Sequence, residues 1–275
     1  MRTPARKFQL ALTFNLLAVV LLTTHVHAQK VNNFDNHKMA AGLITCDVKV
    51  NKSIYKNRPV GTATLFENRR LILGSAHSFY TESGELYVIP GTCLFNIVSD
   101  GGKIIEQAYL GNLWAGSTTD SIENANPNAH LDWALVQLDR DIQSATPVKL
   151  ATELPKQNQK LESCYFSLKA NNMRRRDCVA GKFLVPGEDS LYNNPRLFLT
   201  DVISFKGSSG SSQINENGEL VSIVIGGKCR SNTVEFDPDS CYAVSSVLIS
   251  QQEFGRKLTA ALAATSQPIV AQTSR

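Results

Sequence analysis

Three residues of this chain stand where a reactive side chain meets one end of a run of strand-forming residues: His77, Asp132 and Ser209. His77 ends the segment Leu71-Ile72-Leu73-Gly74-Ser75-Ala76-His77. A histidine that leaves a buried strand past small residues can offer one ring nitrogen as a base while a partner holds the other. Asp132 opens Asp132-Trp133-Ala134-Leu135-Val136-Gln137-Leu138. A carboxylate buried there needs donors, and an imidazole is a suitable one, because the carboxylate in turn stabilises the imidazolium formed when the ring takes a proton. Ser209 lies in Lys206-Gly207-Ser208-Ser209-Gly210-Ser211-Ser212. Glycines on both sides let the backbone turn so tightly that successive N–H groups converge on one point, as stabilising a developing oxyanion requires. Taken singly, each segment also has a plain structural reading: a packed histidine, a strand-starting aspartate, a Gly/Ser linker.

The elements that must position these residues read as strands. Short β-prone runs at 43–50, 61–66, 71–74, 86–89, 134–138, 164–168, 179–184, 197–199 and 220–225 alternate with turn residues, a spacing that predicts an all-β barrel or sandwich. Asn217-Gly218 is a hairpin signal, since both residues accept positive φ cheaply. The stretch 143–159, with Pro147 and Pro155, divides the β-rich region and reads as the connection between two barrels, 29–150 and 151–265. Val247, Phe254, Leu258 and Leu262 are spaced as one helix face, which predicts a closing helix packed on the second barrel, followed by a disordered tail over 266–275.

The N-terminus carries Arg2, Arg6 and Lys7, an apolar run over 10–22, and Val26-His27-Ala28. That order predicts an export signal over 1–28 and a mature protein, extracellular or periplasmic, that is free of the membrane after cleavage. A net charge of +4, scattered along the chain, gives no footprint for nucleic acid, and Met173-Arg174-Arg175-Arg176 reads as a solvated loop tip. All six cysteines follow the signal, and an even number in an exported chain favours disulfides over metal ligands. Neighbour pairing, Cys46–Cys93, Cys164–Cys178 and Cys229–Cys241, is the simplest of the connectivities they allow.

Together the three segments resemble the chymotrypsin-like serine peptidases, in the order His, Asp, Ser. Gly61-Thr62-Ala63-Thr64 is similar to that family's glycine-led strand, Asp132-Trp133-Ala134-Leu135 to its Asp-x-Ala-Leu segment, and Gly207-Ser208-Ser209-Gly210-Ser211 to its nucleophile loop. The Gly-Ser ending of that loop resembles the bacterial glutamyl endopeptidases. Two departures stand out. Ser208 replaces the aspartate of trypsin-type zymogens, and Ser78 stands where those enzymes have a cysteine. The resemblance implies two six-stranded antiparallel β-barrels with the active site between them, and polypeptide substrates cleaved by a monomer without metal or organic cofactor. It implies a triad of His77, Asp132 and Ser209, and an oxyanion hole from the N–H groups of Gly207 and Ser209. It also implies a substrate pocket at Ile203, Ser204, Val224, Ile225 and Gly226. Ile203 and Val224 fall where relatives with charged pockets place their charge partners, so an uncharged, apolar residue is expected before the scissile bond. A catalytically silent homologue that keeps the barrels as a binding module is the alternative. An α/β-hydrolase is rejected, because Ser211 replaces the glycine its nucleophile turn requires.

Overall fold

The computed structural model describes residues 37–118, 128–167, 175–184, 196–203, 207–229 and 241–267. Strands β1 (Ala41–Val50), β2 (Ser53–Leu65), β3 (Leu71–Gly74), β4 (Leu94–Val98), β5 (Ile104–Ala115) and β6 (Ala134–Leu138) form one closed barrel in the order β1-β2-β3-β6-β5-β4. After it come β7 (Lys149–Leu150), β8 (Lys160–Phe166), β9 (Arg176–Leu184), β10 (Leu197–Ile203), β11 (Ser212–Asn215), β12 (Glu219–Cys229) and β13 (Cys241–Val247). The order β11-β8-β9-β10-β13-β12, closed by a β11–β12 pairing, is a second six-stranded barrel, with β7 added in parallel to β12. The expected pair of barrels is therefore present.

Each barrel closes because its strands carry apolar residues to the inside. In the first, Leu65, Phe66, Leu71, Ile72, Leu73, Phe95, Ile97, Trp133, Leu135 and Leu138 are wholly buried. Each such side chain contributes roughly 1.5–3 kcal/mol relative to exposure, so the short strands depend on the packing more than on any backbone preference. Two disulfides tie strands together, Cys46–Cys93 and Cys164–Cys178, each with Cα atoms 4.1 Å apart. Both match neighbour pairing. Cys229 and Cys241 face each other across β12 and β13, and their side chains lie outside the described residues.

Several expectations are corrected. Residues 86–89 form no named strand; isolated bridges Tyr80–Leu86 and Val48–Val88 hold them instead, the second on the short edge of β1 left beyond its Leu43–Thr45 pairing with β4. Strands β4, β5 and β13 lie outside the β-prone runs, and β10 extends past 199 to Ile203. The turn at 216–218 needs positive φ only at Gly218 (80°), since the Asn215 side chain accepts the N–H groups of Asn217 and Glu219 and fixes the bend.

The closing helix, α1 (Gln252–Ser266), begins after Val247, which belongs to β13. It docks on the first barrel rather than the second. Phe254 packs edge-on against Trp133 at 5.0 Å and near Phe66 at 6.2 Å, and the Asn68 side chain donates to Thr265 Oγ1 at 2.7 Å. The helix carries the C-terminus back across the molecule because its apolar face finds the exposed flank of β3 and β6. The reading of the arginine run as a solvated tip is corrected at Arg176, while Arg175 is exposed and 173–174 lie outside the described residues. Arg176 is buried and donates to Asp100 Oδ1 at 2.6 Å, so it is a link from β9 to the β4–β5 turn. The signal segment lies outside the described residues, as does 268–275 of the tail.

Candidate active site

Strand register brings the histidine and the aspartate together. In the antiparallel pair β3–β6, Gly74 lies opposite Ala134 and Leu73 opposite Leu135. The chain leaving β3 and the chain entering β6 therefore share one end of the barrel. His77, in a single turn of 3-10 helix (Ala76–Ser78), follows the first, and Asp132 precedes the second. His77 Nδ1 lies 2.5 Å from Asp132 Oδ2, and the His77 backbone N–H donates to Asp132 Oδ1 at 2.9 Å. Both carboxylate oxygens are engaged. The Asp132 side chain is 1% exposed and that of His77 29%, so the pair is sealed behind and open in front.

Their supports were not foreseen in the sequence. Tyr87 donates its hydroxyl to Ser78 C=O at 2.8 Å, and burial pushes that phenol up to about 12. Ser75 Oγ and Ser78 Oγ are 2.7 Å apart. On the aspartate side, Gln251 Nε2 donates to His130 C=O at 3.0 Å while Gln251 Oε1 accepts from Trp133 Nε1 at 2.9 Å. Ser246 Oγ donates to the same His130 carbonyl at 2.6 Å. Asp132 is thus bracketed by residues held from β13 and from the start of α1. Nothing in the sequence near Gln251 marks it, because its role depends on a contact 121 positions away.

Ser209 lies in the loop between β10 and β11, which is held by backbone. Ser211 N–H donates to Ser208 C=O at 3.0 Å, Gly210 N–H to Val224 C=O at 2.8 Å, and Thr62 N–H to Ser209 C=O at 3.3 Å. Gly207 has φ 103° and Gly210 φ 81°, both in the left-handed region that favours glycine. Close approach adds a second requirement. A Cβ on Gly210 would fall 2.3 Å from Thr62 O and 2.8 Å from Ser75 N, and one on Gly61 2.5 Å from Ser78 Oγ. The serine loop therefore rests directly on the end of β3 that leads to His77. Ser208 is buried and Ser209 half-buried.

The expected pocket residues are placed less fully. Val224 is wholly buried against Val202 and Ala243, Ile225 packs into the main core, and Gly226 is half-buried where β12 bulges against β13. Ile203 ends β10 opposite Tyr242, with its side chain outside the described residues, and Ser204 lies outside them altogether. Among the described residues, His37, Glu162 and Cys164 come within 4.8 Å of one another, but Cys164 is committed to its disulfide.

No sequence profile of a known family matches this chain, and no curated protein matches it. Solved structures do. Mouse neuropsin, a serine protease expressed in the limbic system of the brain, superposes with a TM-score of 0.57 at 14% identity, over 81% of this chain and 95% of its own. The thermostable serine protease AL20 from an extremophilic microorganism gives 0.59 at 13% identity, over 81% of this chain and 98% of its own. The fold is that of the chymotrypsin-like serine proteases. At such identities the likeness is one of fold, and neither structure supports the glutamyl endopeptidase subtype. Within this trypsin-like fold, the His77–Asp132 pair sits on the first barrel and the Ser209 loop on the second.

Proposed function

We propose that this protein is a serine endopeptidase that cleaves polypeptides through an acyl-enzyme on Ser209. The observation that carries the reading is the Asp132–His77 pair, hydrogen-bonded through both carboxylate oxygens, beside a glycine-flanked serine loop packed on the same strand end. In this mechanism His77 Nε2 takes the Ser209 hydroxyl proton as Oγ attacks the scissile carbonyl, and the imidazolium later gives that proton to the leaving amine. Asp132 keeps the ring in the tautomer with Nδ1 protonated and stabilises its charge. The N–H groups of Gly207 and Ser209 receive the oxyanion; a water then gives a proton to His77 Nε2 as its oxygen attacks the ester carbonyl, and that proton passes to Ser209 Oγ as the ester C–O bond breaks and frees the acid. Ser208 offers no carboxylate to pair with a buried N-terminal ammonium, so activity does not depend on a zymogen cut that creates one. Neither Ile203 nor Val224 offers a charge partner, which supports an uncharged residue before the scissile bond. Two disulfides in a fold of this kind suit an exported protein, and no described helix is long and apolar enough to cross a membrane.

The test is active-site labelling with a fluorophosphonate together with hydrolysis of a peptide library by the protein lacking 1–28. Labelling and cleavage are expected for wild type, and Ser209→Ala is expected to lose both while unfolding at the same temperature. Wild-type protein that neither labels nor cleaves would establish the silent binding module instead. A library profile dominated by Arg, Lys or Glu before the cleaved bond would overturn the apolar pocket alone.

A further inference from the structure

Thr62, in β2, joins the two barrels at the serine loop. It is 0% exposed. Its hydroxyl accepts the backbone N–H of Phe166, at the end of β8, at 3.0 Å, and donates to Gly207 C=O at 2.9 Å. Its own N–H donates to Ser209 C=O at 3.3 Å. A hydroxyl has one proton, and here the Phe166 N–H already occupies it as an acceptor, so that proton is committed to the Gly207 carbonyl.

The consequence concerns the backbone of the loop. The carbonyls of 207, 208 and 209 are all turned inward, to Thr62 Oγ1, Ser211 N–H and Thr62 N–H. Each carbonyl fixes the plane of its own peptide: that of 207 the plane carrying Ser208 N–H, that of 208 the plane carrying Ser209 N–H, and that of 209 the plane carrying Gly210 N–H, which donates to Val224 C=O. Glycine at 207 has access to many other backbone states, and the loop's glycines supply no side chain to select one. The Thr62 hydroxyl is the side-chain group that selects it. From the first barrel it reaches the loop and the second barrel at once.

We infer that Thr62 is a positioning residue for the proposed reaction, whose hydroxyl fixes the 207–208 peptide plane and so holds the backbone that joins the two oxyanion-binding N–H groups, those of Gly207 and Ser209. This rests on the acyl-transfer reading of Ser209. Thr62→Val keeps the shape of the side chain but strands the Gly207 carbonyl and the Phe166 N–H, whereas Thr62→Ser keeps both bonds. Rates are measured per fluorophosphonate-titrated active site, alongside melting temperature. Thr62→Val is expected to lower kcat about 10- to 100-fold with KM changed less than about threefold, because the donors it orients act on the transition state. Thr62→Ser is expected to stay within about threefold of wild type in kcat. A peptide boronate, which forms a tetrahedral adduct on serine, should weaken in step with kcat across the series.

A valine variant that melts lower but keeps wild-type kcat per active site, or a serine variant as slow as valine, would overturn the inference. Where the valine variant does not fold, Thr62→Ala with boronate affinity as the readout decides, and wild-type affinity would again overturn it. Failure of the acyl-transfer reading itself shows differently, as wild-type protein that titrates with no phosphonate at all.

Discussion

The two halves of the site are held by different means. His77 and Asp132 are bound to each other through side chains, with Asp132 buried and bracketed by the contacts of Gln251 and Ser246 to its neighbours. The Ser209 loop is held through its backbone, by carbonyls that meet Thr62 and Ser211 and by glycines that admit close approach. The first half is a matter of which chemical groups are present; the second is a matter of shape. Conservative changes of functional group should therefore damage the first most, and the addition of a single methyl group should damage the second.

Asp132→Asn tests the first half and carries the largest expected effect in this comparison. The amide cannot accept from both the His77 backbone N–H and the ring, so the imidazole is left in the wrong tautomer and kcat should fall by about four powers of ten. The melting temperature should fall as well. Activity within tenfold of wild type would show that the 2.5 Å contact is structural only.

Gly210→Ala tests the second half. The left-handed backbone alone costs about 1–3 kcal/mol for a residue with Cβ, and the clash with Thr62 O and Ser75 N adds to it. Both the melting temperature and kcat should drop. Ser211→Ala, which removes a side chain bonded to Ser163 without changing loop shape, should leave most of the activity. If the two variants were equally slow, shape would not be what governs this loop.

A third disulfide would sharpen the contrast by stiffening the second barrel close to the proposed pocket strand. Cys229 and Cys241 face each other in register, as the bonded Cys164 and Cys178 do. The unreduced protein should take up no alkylating agent. Closing the short loop between them should add about 2–3 kcal/mol, read as a lower melting temperature in the Cys229→Ser, Cys241→Ser double variant.

The smallest effect belongs to the Arg176–Asp100 link, which also spans the barrels but ends on an exposed carboxylate of the β4–β5 turn rather than on the serine loop. The hydrogen bond and charge of Arg176 hold the Asp100 carboxyl below its ordinary value. A depressed folded value means that its stabilisation is present above the unfolded carboxylate range and is lost as pH falls through the folded value. Asp100 is 93% exposed, so solvent screens the pair. Asp100→Asn should lower the melting temperature slightly at neutral pH, not at all once the wild-type carboxyl is protonated, and leave kcat/KM unchanged at any pH. A changed kcat/KM would mean that the link acts on the site through the β8–β9 pair, where Arg176 lies opposite the Phe166 that bonds Thr62.

Much of this was legible from residue types alone. Strand-forming runs around Leu71–Gly74 and Ala134–Leu138, the small residues before His77 and the glycines around Ser209 follow local rules of burial and backbone freedom. Two of the disulfides matched nearest-neighbour pairing. Local rules failed where an element is defined by what it meets. Residues 86–89 have strand character but meet only the short edge of β1 around Val48 that its Leu43–Thr45 pairing with β4 leaves free, so they stay a bridge. Arg176 has the charge of a surface residue but is covered by Lys38, Met39 and Asp100, which come from distant parts of the chain.

Residue order along the chain supplies the kinds of groups available: one imidazole, one carboxylate and one hydroxyl at strand ends, and glycines where the backbone must turn left-handed. Which of them meet follows from folding. The β3–β6 register brings His77 to Asp132, α1 turns back onto the first barrel, and Thr62 reaches the serine loop across 145 positions. Hydrogen bonds and close packing act over a few ångströms in space without regard to sequence separation. A pattern read along the chain therefore reveals the donors and acceptors, and the closure of the two barrels fixes their partners.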